Sequence, residues 1–337
     1  MRLTALVESP GHVCCRYRLA AFRPFLEEAG HTLTLRPWPR SCWSRLRLGR
    51  ALQGTDAVIV QRRLLPGWQL YLLRCEARLL LFDFDDAVFL RDSYAARGLA
   101  SPRRLQRFVA TVETADAVIA GNDFLREQAA RWTDPGRVHV IPTCVDPGRY
   151  PLAEHRRAGE GVELVWIGSS STLQGLELIR PLLEYVGRHQ PGVRLKLICD
   201  CFLQFRRLPV VCCPWSEASE AAELARADVG ISWVPDDAWS RGKCGLKVLQ
   251  YMAAGLPVVA NAVGVQADLV RHGETGFLAR TPEEWSEAVG RLARAPELRR
   301  RMGSAGRRRM EADFSVAAGA TRWTALLGRL RQRKEAA

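Results

Sequence analysis

Arg241-Gly-Lys-Cys-Gly-Leu-Lys-Val-Leu-Gln-Tyr-Met-Ala-Ala-Gly-Leu-Pro-Val-Val-Ala260 reads as a loop, a helix, a glycine stop and a buried strand. Gly242 and Gly245 free the backbone just ahead of the helix. Leu246 to Ala254 is a run of good helix formers. Gly255 fits the position after the last helical turn, and Pro257 bars the helix from continuing. Leu256 to Ala260 is a short apolar run, the pattern of a parallel strand covered on both faces. Lysine is scarce in this chain, occurring at 196, 243, 247 and 334, and two of these lie in the quoted stretch. Lys247 and Gln250 are three apart and share a helix face. Free N–H groups, the helix dipole and two ammonium groups together make a site for a multiply charged anion such as a diphosphate. Gln250 can hydrogen-bond sugar hydroxyls beside it. A solvated helix start with two ordinary surface lysines is the alternative, and spacing alone leaves both open.

Outward from this stretch, strands alternate with helices through both halves, which predicts an α/β fold with parallel sheets. With 337 residues, two domains is the natural expectation. Residues 2–8 read as the first strand, followed by a glycine-bearing turn at Ser9-Pro10-Gly11 and a helix from about Arg16 to Glu28. Such turns often approach a phosphate. Residues 78–89 run from an apolar strand straight into Asp83, Asp85 and Asp86. Ligands of open α/β sheets bind beyond the carboxyl ends of the strands, where acids accept hydrogen bonds from sugar hydroxyls or act as bases. Helix capping is the structural alternative. Residues 163–188 give a strand, Gly168, a small polar loop from Ser169 and a helix, again a phosphate-facing turn. The segment 146–161, rich in Pro, Gly, Arg and Glu, reads as the linker. Residues 273–280 read as hairpin-like, and 299–309 as an arginine-rich, solvated helix face.

Apolar content of 47% and charged content of 25% describe a globular chain rather than a disordered one. No apolar run is long enough for a membrane span, and the first residues lack the core of a signal peptide. A cytoplasmic protein is expected, with reduced thiols, because the ten cysteines fall in no C-x-x-C pattern. The net charge of +13 suits nucleotide-sugars, anionic lipid surfaces or nucleic acid. Residues 36–50 mix arginines with two tryptophans. They suit an anionic membrane surface, base stacking, or an exposed helix whose arginines snorkel over buried tryptophans. A nicotinamide oxidoreductase would need G-x-G-x-x-G after the first strand, and the chain has a single glycine there.

The run Gln250-Tyr-Met-Ala-Ala-Gly-Leu-Pro-Val-Val-Ala-Asn-Ala-Val-Gly264, followed by Gly273-Glu-Thr-Gly-Phe-Leu-Ala279, resembles the donor-binding segment of GT-B retaining glycosyltransferases, the "group 1" enzymes of family 4. The resemblance implies two Rossmann-like domains facing across a cleft. Residues 1–155 would form the acceptor side and 162–312 the nucleotide-sugar side, with a C-terminal helix over 313–337 returning to the first domain. It implies that Lys243 and Lys247 hold the donor diphosphate with Gly245, Gly11 and Ser169, and that Gln250 takes the ribose. Arg16 and Arg18 join Gly11 as candidates under the donor. Trp215 would lie near the nucleobase, where its face can stack; a core tryptophan is the other reading. Asp85 and Asp86 would face the acceptor, a glycan or a lipid-linked molecule, and with Lys247 they are the catalytic candidates. No cofactor, catalytic metal or nucleic-acid partner is expected, and peripheral contact with an anionic membrane would fit a lipid-held acceptor. Many members carry two glutamates eight positions apart in this segment; here the positions fall on Gly242 and Gln250. A catalytically idle sugar-nucleotide-binding protein is therefore the alternative.

Overall fold

The computed structural model describes residues 1–39, 52–157 and 161–335. Most of the arginine- and tryptophan-rich stretch, residues 40–51, lies outside the described residues. The chain divides into two compact units. One comprises Met1–Cys144, Asp237–Cys244 and Val316–Ala337; the other comprises Val145–Asp236 and Gly245–Ser315.

In the first unit six parallel strands form one sheet in the order β2-β1-β3-β4-β5-β6. They span Arg2–Val7, Thr32–Pro37, Ala57–Gln61, Leu80–Phe84, Ala117–Ala120 and Val138–Val140 for β1 to β6. Every residue of β3, β4 and β5 is buried, as parallel strands covered on both faces require. From β1 the chain moves outward to β2 and then crosses back to place β3 on the other side of β1, which makes the gap between β1 and β3 the switch point of this sheet. One face is covered by the helix Val316–Glu335, whose Trp323, Leu326 and Leu327 are buried against Phe22 and Leu26. The Phe22 and Trp323 rings lie 6.5 Å apart. Each such side chain contributes about 1.5–3 kcal/mol by leaving water. The helix expected over 16–28 is broken: Val13–Arg18 is helical, Ala20–Phe22 is a 3-10 turn, and a second helix starts at Arg23. Pro24 explains the break, because it has no N–H to give the preceding turn and sits in the first turn of the new helix instead.

The second unit repeats the scheme with β7 (Val162–Ile167), β8 (Val193–Cys199), β9 (Val210–Pro214), β10 (Val229–Ser232), β11 (Val258–Ala260) and β12 (Gly276–Leu278). The order is β12-β11-β10-β7-β8-β9, so the switch point falls between β7 and β10. Residues 273–280 form no hairpin. Gly273 turns the chain at φ +81°, and β12 then pairs parallel to β11.

The arginine-rich helix Pro296–Asp313 also differs from its solvated reading. Arg299 is fully buried, and its Nη1 donates to the carbonyls of Leu292 and Ala293 at 2.6 and 3.3 Å. Those carbonyls end the helix Pro282–Arg294 and have no partner within it. The same guanidinium pairs with Asp228 at 3.4 Å. Arg307 donates to Pro147 O at 3.0 Å and to Ala253 O, the latter at the end of the helix Leu246–Ala253. Arg309 donates to Leu269 O at 3.0 Å. Cations at helix C-termini are also favoured by the dipole.

Candidate active site

In the second unit, the helix Leu246–Ala253 begins at Gly245, whose φ of +69° only glycine adopts without cost. A side chain at 245 would also strike Leu269 Cδ1 and come within 3.0 Å of Val265 Cγ2. The helix stops at Gly255, again left-handed at φ +69°. Lys247 is half-buried in the opening turn, with Nζ 5.1 Å from the centre of the Trp166 ring on β7. That ring lends the ammonium a cation–π contact and confines it. Gln250 is buried at 4% exposure, and its Nε2 donates to the Tyr150 hydroxyl at 3.1 Å.

Ser169 precedes the helix Ser170–Leu178 at the carboxyl end of β7, beside the switch point. Its backbone N–H donates to Thr172 Oγ1 at 3.2 Å, and its hydroxyl exchanges a hydrogen bond of 2.9 Å with Ser171. A carboxylate already occupies this helix start: the Ser170 N–H and hydroxyl donate to the two Asp200 oxygens at 2.6 and 2.8 Å. The Ser170 hydrogen bond holds the Asp200 carboxyl below its usual range. The ligand atoms of Cys199, Asp200 and Cys201 lie within 4.8 Å of one another, a spacing that suits a metal ion, but both Asp200 oxygens are engaged by Ser170. Trp215 follows β9, is 43% exposed as a residue and donates from Nε1 to Glu220 at 2.9 Å, so it is no core tryptophan.

In the first unit, Gly11 is exposed in the turn after β1. Arg18, read as a donor-side candidate beside it, is instead 1% exposed. Its guanidinium grips Asp83 and donates to Ile141 O at 2.5 Å. Arg16 is buried too, with its guanidinium 5.3 Å from the Tyr17 ring centre. Asp85 and Asp86 lie just past the carboxyl end of β4, and both pair with Arg62, at 3.2 and 2.5 Å. Burial pushes the Asp86 carboxyl above its ordinary value, while Arg62 and Lys243 draw it back. Arg62 also contacts the Cys14 thiol.

Lys243 belongs to the segment Asp237–Cys244, which packs into the first unit, whereas Lys247 belongs to the second. Asn122 anchors that segment. Its Nδ2 donates to Arg241 O at 3.2 Å and Lys243 O at 3.0 Å, while its Oδ1 caps the helix Asp123–Ala130. Ser93 adds hydrogen bonds to Asp237 and Ser240, and Cys244 donates to Asp85 O at 3.2 Å. Gly242 is buried against Ala87, whose N and Cβ lie 2.7 and 2.8 Å from where a side chain would start. The missing glutamate at this position therefore has a steric counterpart in the chain's own packing.

Sequence reasoning passed over Arg62 and Asn122. Asn122 carried a usable signal, since an asparagine between a buried strand and a helical run is a strong N-cap candidate. Arg62 carried none, because its role depends on Asp85, Asp86 and Cys14, which come from two distant segments.

The description "Glycosyl transferases group 1" matches residues 238–309. An alpha-maltose-1-phosphate synthase of Mycolicibacterium smegmatis is 31% identical over 247 residues, 61% of this chain and 61% of that one. The chain thus spans about three fifths of the length of that curated relative. A sucrose-phosphate synthase structure from Thermosynechococcus elongatus superposes with a TM-score of 0.77 at 18% identity, over 98% of this chain and 99% of that one. HepE of Anabaena, solved with UDP and glucose, gives 0.69 at 15% identity, over 98% and 100%. The two parallel-sheet units thus have the GT-B fold of these structures, and residues 238–309 carry the match to the group 1 glycosyl transferases.

Proposed function

We propose that this protein is a retaining glycosyltransferase that moves a sugar from a nucleotide-sugar to an acceptor hydroxyl on a glycan, lipid or small molecule. The observation that carries the reading is Lys247, held over Trp166 in the first turn of a helix that starts at a left-handed glycine, inside the segment matching group 1 glycosyl transferases. A half-buried ammonium at a helix start is suited to a diphosphate, because charge and dipole act together where water is partly excluded. Gly245 lets the backbone approach the phosphates, with Lys243, Ser169 and Gly11 as further contributors. The exposed Trp215 ring offers a face to the base, and Gln250, bonded to Tyr150, stands at the ribose position.

The bond between the sugar's anomeric carbon and the diphosphate oxygen breaks, its electron pair leaving on the nucleoside diphosphate. The acceptor oxygen bonds to that carbon on the same face, and its proton passes to the departing phosphate. Asp85 and Asp86 orient the acceptor hydroxyl. No protein nucleophile, cofactor or catalytic metal enters this scheme. Because HepE was solved with UDP, UDP-sugars are the first donors to try. The test is transfer from UDP-, GDP-, ADP- and CMP-sugars, with the anomeric configuration of the product read by NMR. Retention with one donor class supports the reading; an inverted product, or no nucleoside diphosphate released from any donor, overturns it.

A second reading, a binder of sugar-nucleotides without turnover, is favoured by Gly242 and by the burial of Gln250. Donor binding without transfer to any acceptor would select it.

A further inference from the structure

A cavity of about 740 Å³ opens at the carboxyl ends of β1 and β3, and all its lining residues belong to the first unit. It therefore sits at that sheet's switch point, where open α/β sheets bind ligands. Its lining is strongly basic: Arg62, Arg63, Arg103, Arg104 and Arg107 contribute, with Glu8 the one carboxylate among them.

Three of these arginines stand where a helix opposes them. Arg103, Arg104 and Arg107 occupy the first two turns of the helix Pro102–Thr114, which has no acid in its first turn. The positive end of the dipole disfavours cations there, and Arg103 and Arg107 at i,i+4 repel each other. Its N-cap, Ser101, lines the same cavity and makes no side-chain capping bond. An anion in the cavity would reverse all three penalties. A further, independent sign is Trp38, which also lines the cavity. It is 6% exposed, and its indole Nε1 has no hydrogen-bond partner among the described residues. A buried N–H donor without an acceptor is costly unless a ligand supplies one.

We propose that this cavity binds a phosphate group carried by the acceptor, so that the acceptor is a phosphorylated molecule rather than a neutral sugar. The proposal rests on the glycosyltransferase reading and deepens it. Arg103 and Arg107 hold the phosphate oxygens by charge-assisted hydrogen bonds, and Trp38 adds a neutral donor. The phosphate can come from a soluble sugar phosphate or from a phospholipid headgroup.

The test titrates the whole protein with glucose 6-phosphate and with glucose. In parallel it is titrated with phosphatidylcholine vesicles with and without phosphatidylinositol 4-phosphate. The wild type should bind glucose 6-phosphate, or the phosphoinositide vesicles, at least about tenfold more tightly than the unphosphorylated counterpart. The doubly substituted Arg103→Gln/Arg107→Gln should lose that preference. The arm that shows the preference identifies the source. Equal binding of both members of each pair, binding of neither probe, or a preference that survives the double substitution overturns the proposal. Arg63→Gln, on a different segment, repeats the test if the double variant does not fold. Nucleotide-sugar binding is measured in the same samples. Donor binding without phosphate preference defeats this inference alone, whereas absence of donor binding defeats the glycosyltransferase reading.

Discussion

Arg18 and Asp83 form an ion pair buried at 1% and 0% exposure, at the carboxyl end of the inner strand β4 of the first sheet. The pair is complete: Arg18 also reaches Ile141 O, and Gln61 Nε2 donates to Asp83 at 3.4 Å. Asp85 and Asp86 follow directly on this strand, so the pair fixes the strand exit that presents them. Asp83→Asn strands a buried guanidinium and should destabilise the first unit by about 3–5 kcal/mol. The apolar double replacement Arg18→Met/Asp83→Leu should cost less than Asp83→Asn alone. Urea denaturation of these two variants and the wild type measures this, and a double variant no more stable than Asp83→Asn would refute the pairing.

Arg299 ties the end of one helix to Asp228 from within another. Arg299→Met leaves two helix-terminal carbonyls and a buried carboxylate short of a partner, although Arg157 still pairs with Asp228 at 2.8 Å. The expected loss is about 2–4 kcal/mol. The exposed Arg308, whose guanidinium donates to Ser304 Oγ at 2.7 Å, should cost less than about 0.5 kcal/mol as Arg308→Met. Equal shifts in thermal midpoint would mean that the helix-capping role of Arg299 is wrong.

His155 is buried, with Nε2 2.8 Å from Gly255 O and Nδ1 without a partner among the described residues. Burial holds its pKa below the usual 6.5. The unfolded chain thus binds more protons than the folded one as pH falls through 6.5, so the contribution is intact above 6.5 and shrinks below it. The slope reaches at most about 1.4 kcal/mol per pH unit. His155→Gln cannot titrate and should flatten the decline between pH 7 and pH 5. Superimposable stability profiles for the two proteins would contradict this.

Gly242→Glu would restore the acidic residue common in the resembled family. Here its side chain starts 2.7 Å from Ala87 N, so the loop or the Ala87 backbone must give way. The substitution should cost about 1–3 kcal/mol and raise no activity. A variant with faster transfer and unchanged melting would show that the position tolerates the acid.

The helix Leu246–Ala253 and its glycine stop were readable because the signals are local: good formers, then Gly255, then Pro257. The parallel strands were readable because burial on both faces leaves unbroken apolar runs. Gly273–Arg280 misled because a turn and a three-residue strand look alike whether the strand returns beside its predecessor or runs parallel to a distant one. Arg18, Arg299 and Arg307 were unreadable for a related reason. An arginine beside apolar residues has the same pattern whether water or a distant carbonyl receives its hydrogen bonds. Lys243 and Lys247 stand four apart in sequence, yet the chain passes from one unit to the other between them. Asn122, more than a hundred residues away, decides where Lys243 is held.

The central claim is that Lys247 at the start of its helix holds the diphosphate of a nucleotide-sugar. Isothermal titration of UDP-glucose, and of the GDP-, ADP- and CMP-sugars if it does not bind, into wild type and Lys247→Ala tests it directly. The account predicts saturable binding by the wild type and a loss of about tenfold or more in the variant, with the variant's melting temperature little changed in the absence of donor. Equal affinities in the two proteins, or no binding of any nucleotide-sugar by the wild type, would contradict it.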